Sequence, residues 1–211
     1  MSRTRYARLR VVVAAVALLL LCLPAPARAQ SQSNERQSAG PAGPWQDGQI
    51  GYGFRTGARE VGLDLEGGFG PPVLTQNHEH DLVLGSVHFG WAFAPRWELT
   101  GELWGGAQTN PGYGRVLGFT PHVRYLFMNH SRWVPFLDAG LGLADTNIRD
   151  RDISTEYEFN IQVGGGVLCF LDRNVALAFE YRWFHLSNAD IQTPNRGVNT
   201  QLLSIGLSRY L

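Results

Sequence analysis

Val175-Ala176-Leu177-Ala178-Phe179-Glu180-Tyr181-Arg182-Trp183 carries its large apolar residues at odd positions and Ala, Ala, Glu and Arg at even ones. A period of two belongs to the β-strand, whose successive side chains point to opposite faces. The same parity recurs along the chain. Val61, Leu63 and Leu65 enclose Asp64 and Glu66, and Val83, Val87, Phe89, Trp91 and Phe93 oppose Ser86 and His88. Trp97, Leu99 and Leu103 alternate with Glu98, Thr100 and Glu102; Leu117, Phe119, Val123, Tyr125 and Phe127 with Thr120, His122 and Arg124. Leu137, Ala139, Leu141 and Leu143 face away from Asp138, and Tyr157, Phe159, Ile161, Val163 and Val167 from Glu158, Asn160 and Gln162. Leu203, Ile205, Leu207 and Leu211 close the series. This predicts eight strands of about ten residues, the length a tilted strand needs to cross a bilayer. Segment 49–57 alternates weakly and is a ninth candidate.

A soluble sandwich or lipocalin-like barrel also alternates, with its apolar face turned inward. Three features favour the opposite sense, an eight-stranded antiparallel outer-membrane β-barrel. The polar face mixes charges of both signs with glycines, as the packed lumen of a small barrel does. Trp91, Phe93, Trp97, Tyr125, Trp133, Tyr157 and Trp183 fall toward segment ends, as interfacial girdles do. Connections alternate short (94–96, 129–132, 171–174) and longer (71–79, 109–114, 144–156, 187–198), the periplasmic-turn and outer-loop pattern. Both termini then lie on the periplasmic side, and the far end of the seventh strand lies at the outer leaflet. His88, His122, Glu98, Glu102, Arg124, Glu158, Glu180 and Arg182 share the even face, where a lumen network of hydrogen bonds and ion pairs would replace an apolar core.

The N-terminus reads as an export signal over residues 1–29. Arg3, Arg5, Arg8 and Arg10 precede the apolar run Val11 to Leu23, and Ala27-Arg28-Ala29 offers small residues for cleavage. Thirteen apolar residues are too few for a spanning helix. Residues 30–47 are polar and rich in Gly, Pro and Ser, a flexible linker, and the barrel is expected over 48–211. Beyond residue 29 the chain holds 13 arginines, no lysine and 18 carboxylates, a net of −5. That charge and the lack of a basic stretch argue against nucleic-acid binding. With Cys22 inside the signal, Cys169 is left alone, which excludes an intramolecular disulfide and a cysteine metal site. His78-Glu79-His80-Asp81 has metal-capable side chains but reads first as a solvated loop. No nucleophile elbow, phosphate loop or dinucleotide fingerprint occurs.

Past the opening stretch the strand runs into Phe184-His185-Leu186-Ser187-Asn188-Ala189. His185 and Ser187 share the odd, outward parity, and i and i+2 on one strand face lie within about 7 Å. That permits a His–Ser hydrogen bond, and a serine becomes a nucleophile when an adjacent base takes its proton. The bland alternative is a polar strand end at the water interface.

His185-Leu186-Ser187-Asn188-Ala189, followed by Gln192-Thr193-Pro194-Asn195-Arg196-Gly197-Val198, resembles the lipid A 3-O-deacylase (PagL) family, also known as acyloxyacyl hydrolases. Pro135-Phe136-Leu137-Asp138-Ala139-Gly140-Leu141-Gly142 is similar to that family's proline-led fifth strand. The likeness covers roughly residues 80–211, most strongly the last thirty. It implies an eight-stranded outer-membrane barrel that removes the 3-position acyl chain of lipopolysaccharide from its lipid-facing exterior. By this resemblance Ser187 is the nucleophile, His185 the general base and then acid, and Asn188 with Ala189 and nearby backbone N–H groups the oxyanion hole. The family's third member is a glutamate fourteen positions after the histidine; here that position is Asn199. Asn199 has outward parity and can orient the imidazole through its carbonyl, but it cannot stabilise an imidazolium by charge. Asp190 is an alternative carboxylate, whereas Glu180 points into the lumen. The expected partners are lipid A or lipopolysaccharide of the outer leaflet, the outer membrane itself and, as an option, a second copy in a homodimer. No cofactor is implied. Three functions follow: a lipid A deacylase, a structural or lipid-binding barrel of the same fold that has lost turnover, and an esterase acting on phospholipid.

Overall fold

The computed structural model describes residues 54–69, 79–128 and 131–211. The export signal and linker expected over 1–47, the first part of segment 49–57, and His78 lie outside them. Eight antiparallel strands run in chain order: β1 (Arg59–Phe69), β2 (Asp81–Ala94), β3 (Trp97–Asn110), β4 (Gly114–Leu126), β5 (Trp133–Thr146), β6 (Tyr157–Phe170), β7 (Val175–Ser187) and β8 (Val198–Tyr210). Each pairs with its neighbour, and β1 pairs with β8, so the sheet closes and leaves no edge. Phe54–Gly57 form no strand; Phe54 is buried edge-on to Tyr210.

Most strands are 13 or 14 residues long, more than the ten expected. Thirteen residues extend about 43 Å, and a tilt near 45° reduces that to about 30 Å, the hydrocarbon thickness. The added length removes one expected long loop. Pairing of β3 with β4 continues to Gln108↔Gly114, so only Pro111, Gly112 and Tyr113 join these strands. The other long connections (70–80, 147–156 and 188–197) all sit at one end.

The barrel is inside out relative to a soluble protein. Odd residues such as Leu63, Phe89, Leu103, Leu141, Leu143 and Val163 are half or more exposed. An apolar surface running round the whole wall fits lipid, not water, as its solvent. The even face fills the lumen in three layers. A charged belt lies in the middle. There Arg124 reaches Glu60 (3.3 Å), Glu98 (3.4 Å) and the face of Phe136, and Arg182 reaches Glu180 (2.8 Å) and Glu102 (3.0 Å). His88 bonds Asp64 at 2.7 Å and His122 bonds Glu102 at 3.1 Å. Room for these groups is made by the absence of side chains opposite them: a Cβ on Gly206 would strike the Asp64 carboxylate, and one on Gly62 the His88 ring. An apolar plug closes each end. Phe54, Leu126, Phe136, Phe170 and Tyr210 form the plug at the short-turn end. Leu82, Leu84, Trp104, Ile148, Ile153 and Phe184 form the one at the long-loop end.

Candidate active site

The end of β7 and the start of β8 meet at the long-loop rim. Register sets Asn199 directly opposite His185 across β7–β8, and Ile161 opposite His185 across β7–β6. His185 and Ser187 both stand on the outer face, half-buried, whereas Asn199 is fully shielded. The imidazole Nε2 lies 2.9 Å from the Ser187 Oγ, and Nδ1 lies 2.8 Å from the Asn199 Oδ1. A carbonyl oxygen can only accept, so in this contact Nδ1 carries the proton. The lone pair of Nε2 is thereby aimed at the serine hydroxyl, the tautomer that can draw off its proton. Asp190, the other candidate partner, accepts instead from Asn195 Nδ2 at 2.9 Å and makes no hydrogen bond to the ring. His185 also stacks on Trp183, ring centroids 5.4 Å apart and planes 10° from parallel.

The ring is held from behind as well. Gly197 has φ +77°, and a Cβ there would fall 2.5 Å from the Leu186 carbonyl and 2.8 Å from His185 Cε1. Glycine is needed for both the left-handed backbone and the close approach. The Gly197 and Arg196 N–H groups both donate to the Asp152 carbonyl, at 2.9 and 2.8 Å, which ties the 188–197 loop to the 147–156 loop. Asp152 is itself anchored by His80, whose Nε2 is 3.2 Å from its carboxylate and whose Nδ1 is 2.8 Å from Gln108 Oε1. His80 is therefore a buried link between loops, not the solvated residue its sequence setting suggests, and no metal-binding group of side chains occurs among the described residues. From the lumen, Asn160 donates to the His185 carbonyl at 3.1 Å.

Asn188 differs from the expectation placed on it. Its Nδ2 donates to Thr155 Oγ1 and to the Gln192 carbonyl, both at 2.9 Å, and its backbone N–H donates to Asn195 Oδ1 at 2.9 Å. Every donor on Asn188 is thus spent inside the loop pair, and none is free for an oxyanion. Thr155 in turn bonds Glu158, so Asn188 works as a clamp between β7 and the 147–156 loop. Ala189 differs: it is exposed, and no acceptor faces its N–H among the described residues. Ala189 (φ 53°) and Asp190 (φ 61°) are consecutive left-handed residues. Each costs a non-glycine residue about 1–2 kcal/mol, held here by the clamps on either side. Local parity set Asn160 on the even face but could not give its bond to His185, nor find Thr155, Asp152 or the packing role of Gly197; of these only Gly197 lay inside the recognised signature.

The comparisons with known proteins bear on the fold and on the family. The chain resembles the crystal structure of the outer membrane enzyme PagL, with TM-score 0.56 and 18% identity over 69% of this chain and 97% of that one. It is nearly as close to Neisserial surface protein A, with 0.55 and 17% over 72% and 98%. The N-terminal β-barrel domain of Pseudomonas aeruginosa OprF gives 0.52 and 14% over 74% and 98%. At these identities the likeness speaks for the outer-membrane barrel fold alone. Among curated proteins none matches the chain. The family model described as lipid A 3-O-deacylase (PagL) matches residues 80–208, from the residue before β2 to within β8. Since that match takes in more than half of the chain, this bacterial outer-membrane barrel belongs to the lipid A 3-O-deacylase (PagL) family.

Proposed function

We propose that the protein hydrolyses the ester at the 3-position of lipid A, with Ser187 as nucleophile, His185 as general base and acid, and Asn199 as the residue that orients His185. The observation that carries this reading is the Ser187–His185–Asn199 chain of contacts at 2.9 and 2.8 Å on the outward face of β7 and β8. The chain lies on the outer face, apart from the polar groups that pack the lumen.

In the acylation step the Ser187 Oγ bonds the acyl carbonyl carbon while its proton passes to His185 Nε2. The negative charge that develops on the carbonyl oxygen is met by the N–H of Ala189. The bond from carbon to the sugar oxygen then breaks, and His185 returns the proton to that oxygen. Water repeats the sequence on the acyl-serine. Its oxygen bonds the carbonyl carbon, its proton passes through His185 to the Ser187 oxygen, and the fatty acid leaves. Substrate enters sideways from the membrane, so no pore or pocket in the lumen is needed.

Mass spectrometry of lipid A from cells expressing the wild type and Ser187→Ala tests this. Loss of one 3-hydroxyacyl mass with the wild type, and none with Ser187→Ala, is expected. Identical lipid A from both would overturn the proposal. Loss of an acyl chain from glycerophospholipid, with lipid A intact, would move the substrate and keep the chemistry.

A further inference from the structure

Trp183 lies two residues before His185 on the same face of β7, between Val163 of β6 and Gln201 of β8. As a girdle residue its ring would have no reason to match the plane of a neighbouring imidazole. Instead the two planes are 10° from parallel with centroids 5.4 Å apart, an offset stack. The indole Nε1, shielded from solvent, has no hydrogen-bond partner among the described residues, so no such bond sets the ring's tilt. The groups that meet the imidazole are neutral: Ser187 on its own strand, Asn199 across on β8, Ile161 across on β6 and Gly197 behind. No carboxylate or guanidinium lies within ion-pair distance of it among the described residues.

A catalytic histidine spends part of each cycle as an imidazolium. Here the residue that would carry a compensating negative charge is an amide. We propose that the face of Trp183 stabilises protonated His185, so that Trp183 is a positioning residue providing through its ring part of the support that neutral Asn199 cannot. A cation within about 6 Å of an aromatic centroid is attracted by the ring's negative face, indole most of all. The inference rests on the proposed role of His185, but its main readout does not depend on turnover.

The test is the NMR titration of His185 in histidine-labelled full-length protein in detergent micelles, its signal assigned among the six histidines with His185→Gln. Trp183→Leu keeps apolar bulk and removes the π face. The pH midpoint of His185 is expected to fall by about 0.4 to 1.5 units, and by less in Trp183→Phe, which keeps a weaker ring. Better access of water after truncation would move the midpoint the other way, so the sign separates the two causes. With lipid A, kcat of Trp183→Leu is expected to fall about 2- to 30-fold with KM little changed. An unchanged or raised midpoint in both variants would overturn the inference. If the midpoint falls as expected while wild type hydrolyses nothing, the stacking role stands and the hydrolase reading fails.

Discussion

Replacing Asn199 by aspartate is the sharpest perturbation this site allows. The two side chains have the same shape, so a carboxylate oxygen takes the place of Oδ1, 2.8 Å from His185 Nδ1. In the ground state the imidazole is neutral and the new charge only orients it, as Asn199 already does. In the transition state the ring is positive. Charge centres about 4 Å apart then attract by about 4 kcal/mol at an effective dielectric of 20, and by about 1 kcal/mol in bulk water. Asn199 is fully buried, which places it nearer the first value than the second. The desolvation of the carboxylate is borne in ground and transition states alike, so it lowers stability and not the barrier. Initial rates of 3-hydroxy fatty acid release from lipid A micelles are therefore expected to rise about 10²- to 10³-fold for Asn199→Asp. The reverse exchange in serine-protease triads costs about 10⁴. A rate equal to wild type, in a preparation where Ser187→Ala is dead, would refute the reasoning. It would mean that orientation alone limits this site.

Gly197→Ala is expected to cut hydrolysis by about 10² or more, because its Cβ displaces the ring against which it would fall at 2.8 Å; circular dichroism should show the barrel intact. Thr155→Val removes the acceptor that holds Asn188 Nδ2 and should loosen the chain just after Ser187, lowering kcat about tenfold with little change in unfolding midpoint. Arg124→Met leaves Glu60, Glu98 and Asp138 without their shared cation and should cost about 3–5 kcal/mol in urea unfolding from liposomes. Leu141→Arg, at mid-height on the exposed wall, should cost about 2–4 kcal/mol by the same measurement, where a soluble protein would lose almost nothing.

The parts of this fold that were legible in the sequence are those written in a local period. Odd-position apolar residues against even-position Glu, His and Arg announced strands, and the charged parity announced a polar interior. What the parity hid lay on the even face itself. Leu82, Leu84, Trp104 and Phe184 are even and apolar, and they seal the long-loop end of the lumen. Against the odd pattern they look like interruptions of it. The short β3–β4 connection was hidden for a related reason. Gln108, Thr109 and Asn110 are polar, as a loop would be, yet β3 continues through all three. At the site, His185, Ser187 and Asn199 could be placed on one face by counting residues. The donors of Asn188 could not, because what occupies them is Thr155, 33 residues away, with Gln192 and Asn195, four and seven residues on. Contacts between two loops follow no period, so they carry no signature within either loop.

Fold and chemistry are separable in this molecule because the barrel wall has two sides. The lumen ion pairs pack the interior of the closed wall, and they are built from even residues. The proposed reacting groups, His185, Ser187 and Asn199, are odd residues at one rim of β7 and β8. This explains how a similar architecture appears in a surface protein and in the barrel domain of OprF at TM-scores within 0.04 of that for an enzyme. The shared part is the closed eight-stranded wall; the proposed activity needs only a short arc of its outer face. The two sides meet at the His185 carbonyl, which accepts from Asn160, itself bonded to Thr120 and Gln162 of the lumen. Through that contact the packed interior holds the backbone that carries His185. A wall stiffened from inside, with both loops clamped above it, lets His185 keep hydrogen-bond distance to Ser187 and Asn199 at a surface where lipid offers no polar group to hold it.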